Sequence, residues 1–139
     1  MKVILKDGRR YIIRFDRNEE AIEGLVYLCE AEKIEAATFY ALGASEEIII
    51  SYYNLPEKKY YDKEIKEGME IINLIGSVAK MKNKTIIHAH GNFAGADFKP
   101  IAGHVKKLVV GPTCEVFLIK LEGKIEREFS DEIGLNLMK

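Results

Sequence analysis

Residues 2–6 and 9–15 alternate or run apolar on either side of Asp7-Gly8, a dipeptide that readily takes the positive φ angles of a tight turn. The pattern predicts an opening β-hairpin. The period then lengthens: Ile22, Leu25, Val26 and Cys29 fall on one face of a 3.6-residue repeat, as in a helix that covers a sheet. Asp16 or Asn18 stands where a cap belongs, with Glu19 and Glu20 near the positive end of the helix dipole. Gly24 inside this helix costs about 1 kcal/mol relative to Ala. It is either simply tolerated there or marks the close approach of a neighbouring element.

From Ala36 onward the apolar runs have β character: Ala36 to Leu42, Glu47 to Asn54, Lys58 to Lys66, Glu70 to Met81, Lys84 to His90, His104 to Val110 and Glu115 to Leu121. Turn-forming residues separate them at Gly43, Asn54-Leu55-Pro56, Gly68, Lys82-Asn83-Lys84 and Gly111-Pro112. Glu122-Gly123 predicts a last hairpin leading into Lys124 to Phe129. One helix among many strands makes an α+β domain dominated by an antiparallel or mixed sheet. With 139 residues, 47% of them apolar, the chain supports one continuous core and a single domain, 1–139.

The chemistry concentrates in one stretch. All three histidines, His88, His90 and His104, occur within Thr85-Ile86-Ile87-His88-Ala89-His90-Gly91 and Ala102-Gly103-His104-Val105. Residues two apart on a strand share a face, with Cα atoms roughly 6.5–7 Å apart, so one divalent ion can touch both His88 and His90. An adjacent strand beginning at His104 can deliver a third imidazole. Three such nitrogens and one free position describe an open zinc-type site, whereas an isolated His-x-His pair is more often a packing feature. Residues 92–101 hold Gly95, Asp97 and Pro100 and predict a loop beside the histidines. Asp97 there, and Glu70 at the head of an apolar strand, are candidates for a supporting carboxylate or general base; each can equally be solvated.

Composition narrows the function classes. Lys and Arg total 21 against 22 Asp and Glu, a formal charge of −1, and the charges alternate without forming a block. This argues against phosphate-driven nucleic-acid binding through a basic stripe. Cys29 and Cys114 each lie in an apolar run with no paired spacing, as reduced core residues do. No stretch is long and apolar enough to span a membrane, and the start lacks a leader-like apolar region. A cytoplasmic location is expected.

The order of several segments resembles the PPC domain family, named for plants and prokaryotes conserved and associated with AT-hook DNA-binding proteins. The resemblance rests on Glu20-Ala21-Ile22-Glu23-Gly24-Leu25, on Ala36 to Ala44, on Tyr52-Tyr53 and on Glu70 to Gly76. It continues through His88-Ala89-His90, Ala102-Gly103-His104 and Thr113-Cys114-Glu115-Val116. It implies a curved, largely antiparallel sheet with few helices, assembling as a homotrimer. It also implies that His88, His90 and His104 bind Zn²⁺ or another divalent transition metal. Ala102 departs from the family pattern, which places a second glycine before the last histidine; this matters if the position needs positive φ. The Arg-Gly-Arg-Pro hook of the plant proteins is absent from this chain.

Two function classes follow. The first is a metal-binding trimeric module associated with DNA or transcription. The second is a metal-dependent enzyme acting on a small molecule, such as an anion, at the open coordination position.

Overall fold

The computed structural model describes residues 1–139. The hairpin forms as expected, from β1 (Lys2–Asp7) and β2 (Arg10–Asp16), with Gly8 at φ +58° in its turn. Helix α1 spans Ala21–Ala31. The remaining strands are β3 (Ala37–Asn54), β4 (Lys59–Ile65), β5 (Met69–Met81), β6 (Lys84–Ala94), β7 (Pro100–Lys120), β8 (Arg127–Ser130) and β9 (Leu135–Met138). The main sheet has seven strands in the order β1-β2-β7-β6-β5-β3-β4, all of its pairings antiparallel. β7 also pairs with β3 along most of its length, so the pairings β3–β5, β5–β6, β6–β7 and β7–β3 close into a circuit. Closure is partial, because β6 meets β7 only over residues 90–94 and its first half, 84–89, stays unpaired on that side.

Alternation decides what fills the interior. Ile13, Phe15, Phe39, Leu74, Phe93, Leu108 and Val116 point inward and are almost fully buried. Helix α1 packs on β6 and β7 and adds Leu25, Leu28 and Cys29 to the same core. Cys29 and Cys114 are buried free thiols, each pushed up to about 12 by burial, as the sequence leads one to expect of core residues. Gly24 is a point of close approach: a Cβ there would lie 2.3 Å from the Phe15 ring. No helix is long and apolar enough to cross a membrane.

Four local expectations are corrected. Neither Asp16 nor Asn18 caps the helix, because the β2 ladder runs through Asp16 and Asn18 takes a turn at φ +66°. Glu20 is the cap instead, accepting from the amides of Ile22 (3.2 Å) and Glu23 (2.6 Å), and also from Leu108 of β7 at 2.7 Å. Gly43 and Gly111-Pro112 do not end strands. They sit at register shifts within β3 and β7, where the two long strands bend yet stay paired on either side. The loop expected over 92–101 shrinks to 95–99, since β6 continues to Ala94 and pairs it with Pro100. Finally, no hairpin forms at Glu122-Gly123: Leu121 and Ile125 donate to the carbonyls of Ala36 and Glu35. The last hairpin is β8–β9.

Candidate metal centre

The register of two strands brings the histidines together. His90 of β6 faces His104 of β7 directly, and His88 lies two residues before His90 on the same face. This face is the outer one, because the intervening Ala89 and the following Gly91 and Val105 point into the core. The three ring centroids are 5.1, 5.1 and 5.3 Å apart, and one ligating nitrogen from each lies within 4.8 Å of the others. His88 Nε2 and His90 Nε2 are 3.2 Å apart. A tetrahedral ion with bonds of about 2.0–2.1 Å holds its nitrogens roughly 3.3 Å from each other. The pair is therefore already at ligand spacing.

The environment favours neutral rings. Burial, reinforced by His88, His90 and Lys106, pushes His104 down to about 4, with Asp62 partly opposing. Burial, then Arg127 and His90, also lowers His88. Neutral imidazoles have the lone pairs that a cation requires. His104 Nδ1 is buried without a hydrogen-bond partner, so ordinary polar pairing does not account for the cluster. These donors fit a borderline-soft divalent ion.

Around the rings stand residues that the linear sequence did not single out. Tyr60 of β4 packs 5.3 Å from the His104 ring, and Lys106 lies over Tyr60 while pairing with Asp62 at 2.7 Å. Arg127 of β8 donates from Nη2 to His88 Nδ1 at 3.1 Å. A guanidinium has no acceptor, so this contact fixes the His88 proton on Nε2. Nothing in the spacing of Arg127, 23 residues beyond His104 and flanked by Glu126 and Glu128, signals its position; only the return of the C-terminal hairpin over β6 puts it there.

The candidate carboxylates lie elsewhere. Glu70 pairs with Ala94, four residues along β6 from His90, or roughly 13 Å at strand rise. Asp97 sits in the turn beyond the same end and accepts from the Lys99 amide at 3.0 Å. Both are exposed. Ala102, the departure from the family pattern, is an ordinary strand residue opposite Asn92 and is not among the positive-φ positions. Ala102→Gly is accordingly expected to leave metal content unchanged while costing about 0.5–1 kcal/mol of stability, readable by urea denaturation.

The histidine row continues as an apolar one. Successive cross-strand partners on the outer face run Leu5, Ile12, Phe117, Tyr40, Ile75, His90 and His104. Leu5, Tyr40 and Ile75 are each more than half exposed, and Tyr40 stacks on Phe117 with centroids 4.8 Å apart.

Comparison with known proteins agrees with this architecture. No curated protein sequence matches the chain. Among solved structures, a metal-containing protein from Archaeoglobus fulgidus is 32% identical, with a TM-score of 0.89 over 100% of this chain and 99% of its own. A plant- and prokaryote-conserved (PPC) protein from Pyrococcus horikoshii is 30% identical, with a TM-score of 0.90 over 100% of this chain and 97% of its own. A protein from Bacteroides thetaiotaomicron, named a candidate DNA-binding protein, is 27% identical, with a TM-score of 0.94 over 97% of this chain and 94% of its own. The family model of the Plants and Prokaryotes Conserved (PCC) domain matches residues 4–122, and with fold and sequence in agreement the chain belongs to that family.

Proposed function

We propose that this chain is a metal-binding assembly module, in which His88, His90 and His104 hold Zn²⁺ or a similar divalent transition metal and the apolar outer row joins three copies. The convergence of the three imidazoles carries this reading. The metal-containing Archaeoglobus relative supports it. Bound by three neutral imidazoles, such an ion keeps its charge and a free position for water or an anion. Coordination through His88 Nε2 places that ring's proton on Nδ1, so the Arg127 contact and a held cation are alternatives. Metal analysis of protein purified without added metal, with anomalous diffraction at the zinc edge, tests the reading. Less than a tenth of an ion per chain after zinc addition and dialysis would sink it.

A homotrimer is expected to bury Leu5, Tyr40 and Ile75, since a continuous exposed apolar row is costly to leave in water. Ile75→Glu puts a charge in the middle of that row. Sedimentation equilibrium is expected to show a trimer for the native chain and a monomer for Ile75→Glu at micromolar concentration; an unchanged trimer would move the interface elsewhere.

The DNA association in the name of the Bacteroides relative is proposed to reach this chain through a partner rather than through its own surface. Many of its basic side chains are already neutralised, including Arg9 by Glu122, Arg17 by Glu46, Lys106 by Asp62 and Lys107 by Glu47. In mobility-shift assays at 50 and 200 mM salt, duplex DNA is expected to stay unshifted at micromolar protein. A shift that weakens steeply with salt would establish direct phosphate binding instead. For the enzymatic alternative, with a small molecule at the open position, the carboxylate beside His104, Asp62, is already held by Lys106 and Ser51, while Glu70 and Asp97 lie at the other end of β6.

A further inference from the structure

A cavity of about 300 Å³ opens between the β8–β9 hairpin and the histidine-bearing strands. Its lining divides by chemistry. Ile86 and Ile87 of β6 and Leu135 and Leu137 of β9 form an apolar wall, while Arg127 and Tyr60 stand beside His88 and His104. No acidic residue lines it.

Arg127 is poorly paired for its position. Its Nη1 donates to the Asn136 carbonyl at 2.9 Å and its Nη2 to His88, but Nε is buried without a partner. A guanidinium has five N–H donors, so three are left without an acceptor. The other four arginines, Arg9, Arg10 and Arg17 on the exposed surface and Arg14 half-buried, each meet a carboxylate, and Arg127 meets none. A part-buried cation without a counterion is electrostatically incomplete.

We propose that this cavity binds a small monocarboxylate with a short apolar tail, its carboxylate on the Arg127 guanidinium and its tail against Ile86, Leu135 and Leu137. One guanidinium balances one negative charge, and with Nε buried it is the second N–H of Nη1 and of Nη2 that remains for a planar carboxylate. The volume has room for about ten water-sized groups, enough for a four- to six-carbon acid. Tyr60 offers a hydroxyl at the polar end. The proposal does not depend on the metal reading, although a cation on the histidines removes the His88 acceptor and leaves Arg127 a fourth donor to offer.

The test is calorimetric titration of butyrate into chelator-stripped and zinc-loaded protein, with butyramide as the uncharged isostere, inorganic phosphate as a competing anion and metal content measured on the same samples. Butyrate is expected to bind the stripped protein at least tenfold more tightly than butyramide, and more tightly than phosphate. Arg127→Gln is expected to reduce butyrate affinity at least tenfold, and Arg127→Lys to restore part of it. Circular dichroism checks that each variant folds. Should Arg127→Gln fail to fold, Leu137→Glu at the exposed rim places a carboxylate in the cavity and is expected to abolish binding. Equal affinity for butyramide, tighter phosphate binding, or butyrate affinity untouched by both Arg127→Gln and Leu137→Glu would overturn the proposal. Butyrate binding by stripped protein that takes up no zinc would uphold the cavity while removing the metal reading.

Discussion

Replacing His90 by Ala is expected to lower the affinity for zinc by more than about 100-fold, since loss even of a residue that only orients a ligand costs 10–100-fold. His90 forms one corner of a nearly equilateral triangle of rings, paired across the ladder with His104 and 3.2 Å from His88 at the ligand nitrogens. Its loss leaves two imidazoles, too few for a stable three-nitrogen site. The effect should appear in stability as well. An ion present at a thousandfold excess over its dissociation constant adds about 4 kcal/mol to a folded state that alone binds it. For a domain of this size that corresponds to a rise in Tm of roughly 10 °C or more. Native protein should therefore show a large Tm difference between zinc and chelator, and His90→Ala almost none. A variant that retains the full zinc-dependent shift would exclude His90 as a ligand.

Gly43→Val is expected to be the most damaging single change outside the histidines. Gly43 has φ +140°, and a Cβ there would lie 2.3 Å from the Thr113 carbonyl oxygen and 2.8 Å from Cys114 Cα. Both are backbone atoms. Neither strand is free to retreat, because Thr113 and Cys114 of β7 are held by β2 on the other side, and β3 is held by β5. Backbone strain of about 1–3 kcal/mol and overpacking of about 1–3 kcal/mol add at one site. A combined cost of about 2–6 kcal/mol is a large part of the roughly 5–15 kcal/mol that stabilises a typical domain. The variant should melt at least about 10 °C lower or fail to accumulate folded. Gly68→Ala, at a position with open space and no positive φ, is the matched control. Should Gly43→Val melt within a couple of degrees of the native chain, the bulge is more yielding than its geometry indicates.

Gly43 also illustrates where reading a linear sequence stops. A glycine between two apolar runs looks like a chain reversal, and the same holds for Gly111-Pro112. Here both fall at bends inside strands of 18 and 21 residues. The difference lies in partners: β3 and β7 stay hydrogen-bonded to each other on both sides of the irregularity. No local pattern reports that. Capping at Glu20 has a similar origin, since its carboxylate serves the Leu108 amide of β7 as well as the helix.

The candidate site was legible in part. A period of two places His88 and His90 on one face whatever the strand's neighbours are, because alternation is a property of the extended backbone itself. The hairpin, the helix face and the apolar content for one core follow from equally local rules. Which strand lies beside β6 is a long-range matter. It was the pairing of β5, β6 and β7 that set His104 opposite His90 and carried Glu70 and Asp97 to the far end, and the return of the separate C-terminal hairpin beside β5 and β6 that brought Arg127 to His88. Periodicity is written in neighbouring residues, whereas register and closure are settled only when distant strands compete for the same hydrogen bonds.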